Sequence, residues 1–233
     1  MTKVGVITFP GSNDDRDALH AVSLLGGESV SLWHADADLH DVDAVILPGG
    51  FSYGDYLRTG ALARFAPALA SVRDFAQRGG PVLGICNGFQ ILCESGLLPG
   101  ALIRNRSLRF ICRWVDIRVE SNEAIVTRDL NVGDILRIPV KHGEGQWVAD
   151  EAEVKRVEGE GLVAFRYCAS NGSIDDAHNV NGSIGNIAGL RNARGNVTGL
   201  MPHPEHAVDA DLGPTGGAPQ LAALLEHALE GVG

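Results

Sequence analysis

Val82-Leu83-Gly84-Ile85-Cys86-Asn87-Gly88-Phe89-Gln90 is the stretch that decides the fold. An apolar run ends in a cysteine with glycine two positions away on either side, and a helix-compatible segment follows. Gly-x-Cys-x-Gly is the thiol form of the strand-to-helix nucleophile turn. A sulfur at the tip of such a turn stands in strained backbone geometry and is exposed to a reactant. Gly84 and Gly88 remove side chains that would hold strand and helix apart. A helix starting beside Cys86 aims its N-terminal N–H groups and positive dipole end at the sulfur, which favours thiolate. The ordinary alternative is a cysteine serving as a small buried hydrophobe. Paired glycines at a strand–helix junction argue against it.

Outward from this turn, strand and helix patterns alternate. Residues 4–9 form a short apolar run rich in β-branched side chains, broken by Pro10-Gly11-Ser12-Asn13. The spacing of Ala18, Val22 and Leu25 predicts a helix over 14–25, ended by Gly26-Gly27. Strands are predicted at 29–34, 44–47 and 81–85, and helices at 61–78 and 89–95. Such alternation, with short glycine-bearing connections, builds a parallel sheet covered on both faces. In the second half, 110–119, 124–127 and 135–140 read as strands with polar punctuation, partly antiparallel. Residues 185–201 hold short apolar pieces among glycines and asparagines, and 218–229 read as a terminal helix. No repeat, linker or boundary interrupts the pattern. The expectation is one α/β domain over residues 1–233, a three-layer αβα sandwich around a mostly parallel sheet.

A chain of 233 residues with 45% hydrophobic residues can bury a sizeable core without staples. Its formal net charge of −10 argues against a binder of phosphate backbones, which needs clustered Lys and Arg. Cys86, Cys93, Cys112 and Cys168 show neither CxxC pairing nor zinc spacing, which suits a reducing compartment. No leader pattern opens the chain and no apolar run reaches the length of a membrane span, so a cytoplasmic location is expected.

A nucleophilic thiol needs a base. Met201-Pro202-His203-Pro204-Glu205 offers the best one. Pro204 biases His203 to extended backbone, where residues two apart project together, so Glu205 can meet the imidazole. A carboxylate there orients the ring and stabilises the imidazolium formed when it takes the thiol proton. His142, in Lys141-His142-Gly143-Glu144-Gly145, competes for this role, with flexible glycines in place of the stiffening proline. His34, following a strand, reads as structural. His203, Glu205 and His206 could also be read as a metal cluster, but no open-site ligand set supports that, and no metal is expected. Acyl chemistry further requires N–H groups aimed at a developing oxyanion. Gly50, at the end of a predicted parallel strand, and Asn87, directly after the cysteine, are the candidates. For Gly49-Gly50 a plain structural turn is the other reading.

Taken together, these residues resemble the class I (triad) glutamine amidotransferases, which have a flavodoxin-like fold. Pro48-Gly49-Gly50, the turn around Cys86 and His203-Pro204-Glu205 stand in that family's order. The resemblance is strongest to a purine-biosynthetic branch. It is carried also by Phe9-Pro10-Gly11-Ser12-Asn13, the segment 49–58, Asn105 to Phe110, His142 to Gly145, Phe165-Arg166-Tyr167 and Asn181-Gly182-Ser183 with Asn186 to Gly189. It spans about residues 4–206. His206 stands where the family often has another basic residue, and 207–217 are unmatched.

The resemblance implies hydrolysis of glutamine through a γ-glutamyl thioester on Cys86. His203 would act as base and then acid, Glu205 would orient it, and Gly50 and Asn87 would hold the oxyanion. Gln90, Ser107 and Leu108 would contact the amino-acid end of the substrate. It implies no cofactor in this chain. ATP and magnesium belong to a partner synthetase large subunit, joined through a small bridging subunit, which aminates formylglycinamide ribonucleotide. No Gly-x-x-x-x-Gly-Lys-Ser/Thr motif occurs here, which agrees with a partner in trans. The aromatic segment 51–58 reads either as a docking or gating surface or as an active-site lid. Two other functions remain open at this level. One is a cysteine hydrolase of another specificity on a related fold. The other is a catalytically dead regulatory subunit, against which the retained Cys86, His203 and Glu205 speak.

Overall fold

The computed structural model describes residues 1–230. Its first part contains β1 (Lys3–Thr8), α1 (Asp15–Leu24), β2 (Glu28–Trp33), β3 (Ala44–Leu47), α2 (Pro67–Gln77), β4 (Val82–Ile85) and α3 (Asn87–Glu94). Its second part contains β5 (Ala101–Ile103), β6 (Ile111–Val119), β7 (Ile135–His142), β8 (Gln146–Val148) and α4 (Glu151–Gly159). β9 (Val163–Cys168), β10 (Ile187–Arg191), β11 (Val197–Leu200) and α5 (Ala218–His227) complete it.

Nine strands form one sheet in the order β2-β1-β3-β4-β11-β10-β9-β6-β7, while β5 and β8 pair separately. From β2 to β11 the neighbours run parallel. From β11 to β7 they run antiparallel. The crossovers through α1 and through α2 run in opposite directions along the sheet. Right-handed connections therefore place these helices on opposite faces, as a three-layer sandwich requires. Every residue of β3, β4 and β11 is buried, the consequence of cover on both sides. β7, at the sheet edge, alternates instead: Leu136, Ile138 and Val140 are buried between more accessible neighbours.

Register positions the site. Leu47 of β3 lies level with Gly84 of β4, and Ile85 of β4 level with Leu200 of β11. The turns leaving these three strands therefore emerge side by side at their carboxyl ends, the usual ligand edge of an α/β sheet. One turn carries Gly49-Gly50, the second Cys86 and the third His203. Cys86 N–H donates to Leu200 O at 2.8 Å, which ties the second turn to the third.

Three sequence expectations need correction. The helix expected over 61–78 is split into a 3-10 turn, Ala63–Phe65, and α2. Pro67 forces Ala66 into extended backbone (φ −65°, ψ 141°), which interrupts the helix. Residues 124–127 are not a strand. Thr127 N–H and its hydroxyl both donate to Ala124 O, closing a buried 3-10 turn. β9 and α4 were not expected as elements at all. α4 buries only Val157, so its apolar stripe is too thin to read; its start is set by Asp150, whose carboxylate accepts from Glu153 N–H at 2.8 Å. The 207–217 stretch loops out and returns, with Gly217 N–H donating to Ala207 O at 2.8 Å.

Candidate active site

Cys86 adopts φ 51°, ψ −103°, a conformation unfavourable for a residue with a side chain and the mark of a strained nucleophile turn. The close packing that holds it there depends on glycine. A Cβ on Gly88 would lie 1.9 Å from Leu47 O, and one on Gly84 would lie 2.7 Å from Gly88 C. α3 then starts at Asn87, directly after the cysteine, so the positive end of its dipole lies beside Cys86. The Cys86 side chain is nearly buried and forms one wall of a cavity of about 320 Å³. Gly50, Asp55, Gln90, His142 and Glu144 are among the other lining residues.

His203 is fully buried beside this cavity. Its Nδ1 is 2.6 Å from Glu205 Oε1, which is itself buried. Its Nε2 has no hydrogen-bond partner among the described residues, which leaves that nitrogen open for proton exchange. Burial pushes the imidazole toward neutrality. The Glu205 carboxylate and the Cys86 thiolate more than offset this and lift it to about 10. Cys86, His203 and Glu205 are thus brought together as one coupled group, although 117 residues separate the first from the second.

The other expected residues fall in different places. Gly50 lies at the cavity with φ 147°, backbone that favours glycine, and a Cβ there would sit 2.6 Å from Gly11 O. Asn87 is buried; its side-chain carbonyl accepts from Ser52 N–H at 3.1 Å and its amide donates to Gln90 Oε1 at 2.8 Å. Gln90 lines the cavity and donates to Glu144 O at 2.5 Å. Ser107 and Leu108 do not line it, and Leu108 is 76% exposed. His34 pairs with the Tyr53 hydroxyl at 2.6 Å, away from the thiol and in keeping with a structural role.

His142 lines the cavity but has no carboxylate partner among the described residues. Its Nδ1 is 3.0 Å from Asn105 Oδ1, while Glu144 faces Arg104 at 3.4 Å. Burial, together with the His203 imidazolium, pushes His142 down to about 3, so it is uncharged at neutral pH. Between about 3 and the ordinary value of 6.5 the folded chain binds fewer protons than the unfolded chain. Stability should therefore fall on acidification through this window. His142→Gln is expected to flatten that fall, seen in urea midpoints at about pH 7 and about pH 4.5. An identical decline in both proteins would refute it.

Two acids near the thiol escaped the sequence reading. Asp55 is raised to about 6 by burial and by Glu144, and its Oδ1 is buried without a partner. Asp14 precedes α1 and is 3% exposed. His206 Nε2 donates to its Oδ1 at 3.1 Å, Lys141 Nζ pairs with the same oxygen, and His203 Nδ1 is 3.8 Å from its Oδ2. Asp14, His203, Glu205 and His206 have ligand-type atoms within 4.8 Å of one another. These atoms are engaged with each other and with Lys141, so the grouping is an ion-pair network in which a cation would have to displace existing partners. The only sequence signal for it was an acid at a helix start, which has a commoner explanation as a cap.

A family model described as the CobB/CobQ-like glutamine amidotransferase domain matches residues 1–216. The phosphoribosylformylglycinamidine synthase subunit PurQ of Bradyrhizobium diazoefficiens is 52% identical over 97% of both chains. That of Rubrobacter xylanophilus is 55% identical over 97% of this chain and 99% of its own. Among solved structures, PurLQS from Thermotoga maritima contains a similar chain. It has a TM-score of 0.85 and 43% identity, and the match covers 97% of this chain and 98% of that one. With a thiol on a strained turn, a buried imidazole–carboxylate pair and identity above half along nearly the whole length, the chain belongs to the glutamine amidotransferase family, in the branch of the phosphoribosylformylglycinamidine synthase PurQ subunits.

Proposed function

We propose that this chain is a single glutaminase domain that supplies ammonia to an ATP-dependent synthetase aminating formylglycinamide ribonucleotide in purine biosynthesis. The observation that carries the reading is the buried His203–Glu205 pair beside Cys86 in the wall of a cavity with room for glutamine. Cys86 gives its proton to His203 Nε2, and its sulfur attacks the glutamine side-chain carbonyl. The negative oxygen that develops meets the backbone N–H groups of Gly50 and Asn87, which need no reorganisation during the step. Collapse of this intermediate breaks the C–N bond, and the imidazolium returns the proton to the departing nitrogen, releasing ammonia. Water, deprotonated by the same imidazole, then attacks the thioester; glutamate leaves and the thiol is restored. Glu205 keeps Nδ1 protonated and the ring oriented throughout. Asp55 and Glu144, two carboxylates in the same cavity, suit the α-ammonium of the bound amino acid.

Ammonia released into water would be protonated and lose its nucleophilicity, so a sheltered route to a partner is needed. The partners are a synthetase large subunit, which holds ATP and magnesium, and a small bridging subunit, by analogy with the Thermotoga maritima chain in PurLQS. Phe51 and Phe110 line the cavity and are 46% and 57% exposed; the neighbouring Tyr56, Leu57 and Leu108 are more exposed still. Apolar side chains around a reactive mouth suit cover by a docked partner. The site of action in this reading is the cytoplasm, a reducing compartment that suits four free cysteines.

The test is stoichiometric. The chain assembled with its synthetase should release one glutamate for each formylglycinamidine ribonucleotide made from glutamine. Glutamate release without coupled product would reject the ammonia-supply role.

A further inference from the structure

We propose that Asp14 is a positioning residue of the glutaminase site: with Lys141 and His206 it forms a second charged layer behind His203 and Glu205 that holds the imidazole in place for proton transfer. The inference rests on the glutaminase reading above and adds a residue to it.

The first support is what Asp14 does not do. It occupies the N-cap position of α1, yet its side chain makes no cap hydrogen bond. An aspartate there ordinarily accepts from the first turn and stabilises the helix. Here the carboxylate turns away from the helix into the site, where it is 3% exposed. A buried carboxylate without compensation is costly, so its partners matter. They are His206 at 3.1 Å, Lys141, and His203 at 3.8 Å.

The second support is the space made for it. A Cβ on Gly49 would lie 2.4 Å from Asp14 Oδ2 and 2.7 Å from His203 Cε1. Glycine at this position lets the carboxylate and the ring close over the backbone. Gly49 O in turn accepts from the N–H groups of Asn13 and Asp14 at 3.1 and 3.2 Å, which fixes the loop beneath.

The third support is charge balance. Glu205 and His206 face His203 from its own turn, with His206 Nε2 3.7 Å from Glu205 Oε1. Cys86 approaches His203 from the β4–α3 turn, Asp14 from the β1–α1 connection, and Lys141 and His142 from β7. His142 is neutral. Asp14 and Glu205 supply two negative charges behind the thiol. Lys141 supplies one positive charge, His206 a hydrogen bond to the same Asp14 oxygen, and a further positive charge is present when His203 carries its proton. The layer thus stabilises the imidazolium through which both proton transfers pass. It also resists rotation of the ring, because Glu205 and His206 are tied to the same carboxylate network.

A strut joining the β1–α1 connection to β7 would show the same contacts, so the test must read charge as well as integrity. Asp14→Asn keeps the shape and removes the negative charge, leaving Lys141 uncompensated. The alkaline limb of kcat/KM for glutamine, measured in the complex, should move down by about one pH unit. kcat should fall and KM stay within about twofold, because the residue acts through His203. Lys141→Met removes the positive charge beside Asp14, leaving His206 on its carboxylate, and should move the same limb up. The titration of His203 followed by NMR in the full chain alone should shift in the same two directions. Lys141 is partly exposed, so its variant decides the matter even if Asp14→Asn does not fold. Shifts of the same sign, or no shift with a reduced kcat, would overturn the proposal. If the wild-type complex released no glutamate, the glutaminase reading would fail, while opposite His203 shifts would still support the role of Asp14 in setting the imidazole.

Discussion

Cys86→Ala in the assembled complex is expected to abolish synthesis from glutamine and to leave synthesis from added ammonia unchanged. The substitution removes the atom that forms the proposed thioester. Loss of a covalent nucleophile from a preorganised site ordinarily costs at least about four orders of magnitude. Assembly should survive, because the substitution removes one atom from a turn held by its backbone. Cys86 N–H is bonded to Leu200 O at 2.8 Å, and Cys86 O accepts from Gln90 N–H at 3.2 Å; alanine keeps both. Alanine also tolerates φ 51° no worse than cysteine does. Rates of product formation with each nitrogen donor check the expectation. Loss of both would mean that the turn itself, rather than its sulfur, matters for assembly. Retention of the glutamine rate would remove Cys86 from the mechanism.

Gly88→Ala is expected to have the largest effect on stability. The new Cβ would lie 1.9 Å from Leu47 O, 2.7 Å from Leu47 C and 2.8 Å from Leu47 Cβ. Two of these atoms belong to the backbone of β3, so no change of rotamer relieves the contact. β3 is a buried strand between β1 and β4 and has no room to retreat. α3 must instead lift away from the sheet, with the loss of packing around Phe89, Ile91 and Leu92. A destabilisation of about 3 kcal/mol or more is expected, the range of overpacked cores. Activity should fall as well, by about a hundredfold, because α3 carries Asn87 and sets the pose of Cys86. Gly159→Ala is the matched control. It closes α4, and among the described residues no atom beyond its own helix backbone and chain neighbours lies within 4 Å of its would-be Cβ, so its urea midpoint should be close to that of the wild type. Equal midpoints for the two variants would show that α3 tolerates a wider spacing than its contacts indicate.

The parts legible in the chain were those whose chemistry is local. A nucleophile turn needs glycine at fixed offsets from the cysteine, so the junction of β4 and α3 could be located from nine residues. The pairing of His203 with Glu205 was legible, but not its geometry: the two meet across a 3-10 turn, Pro204–His206, rather than along the extended backbone expected. The alternation of β1 to α3 followed from apolar runs long enough to be buried on both faces. Legibility failed where a local rule was overruled or too weak. Pro67 broke a helix that the apolar spacing extended to residue 61. α4 shows almost no apolar stripe.

The sequence by itself determined that a thiol stands on a strained turn, because glycine spacing fixes that geometry within a few residues; it paired a histidine with a glutamate without revealing the 3-10 turn through which they meet. Only the tertiary structure decided which histidine meets the thiol. Parallel pairing of β4 with β11 brings His203 to Cys86, while burial without a carboxylate keeps His142 neutral. Only the tertiary structure, too, assembled Asp14, Lys141 and His206. Each comes from a different element, and a charge network of that kind depends on distances in space that no spacing along the chain encodes.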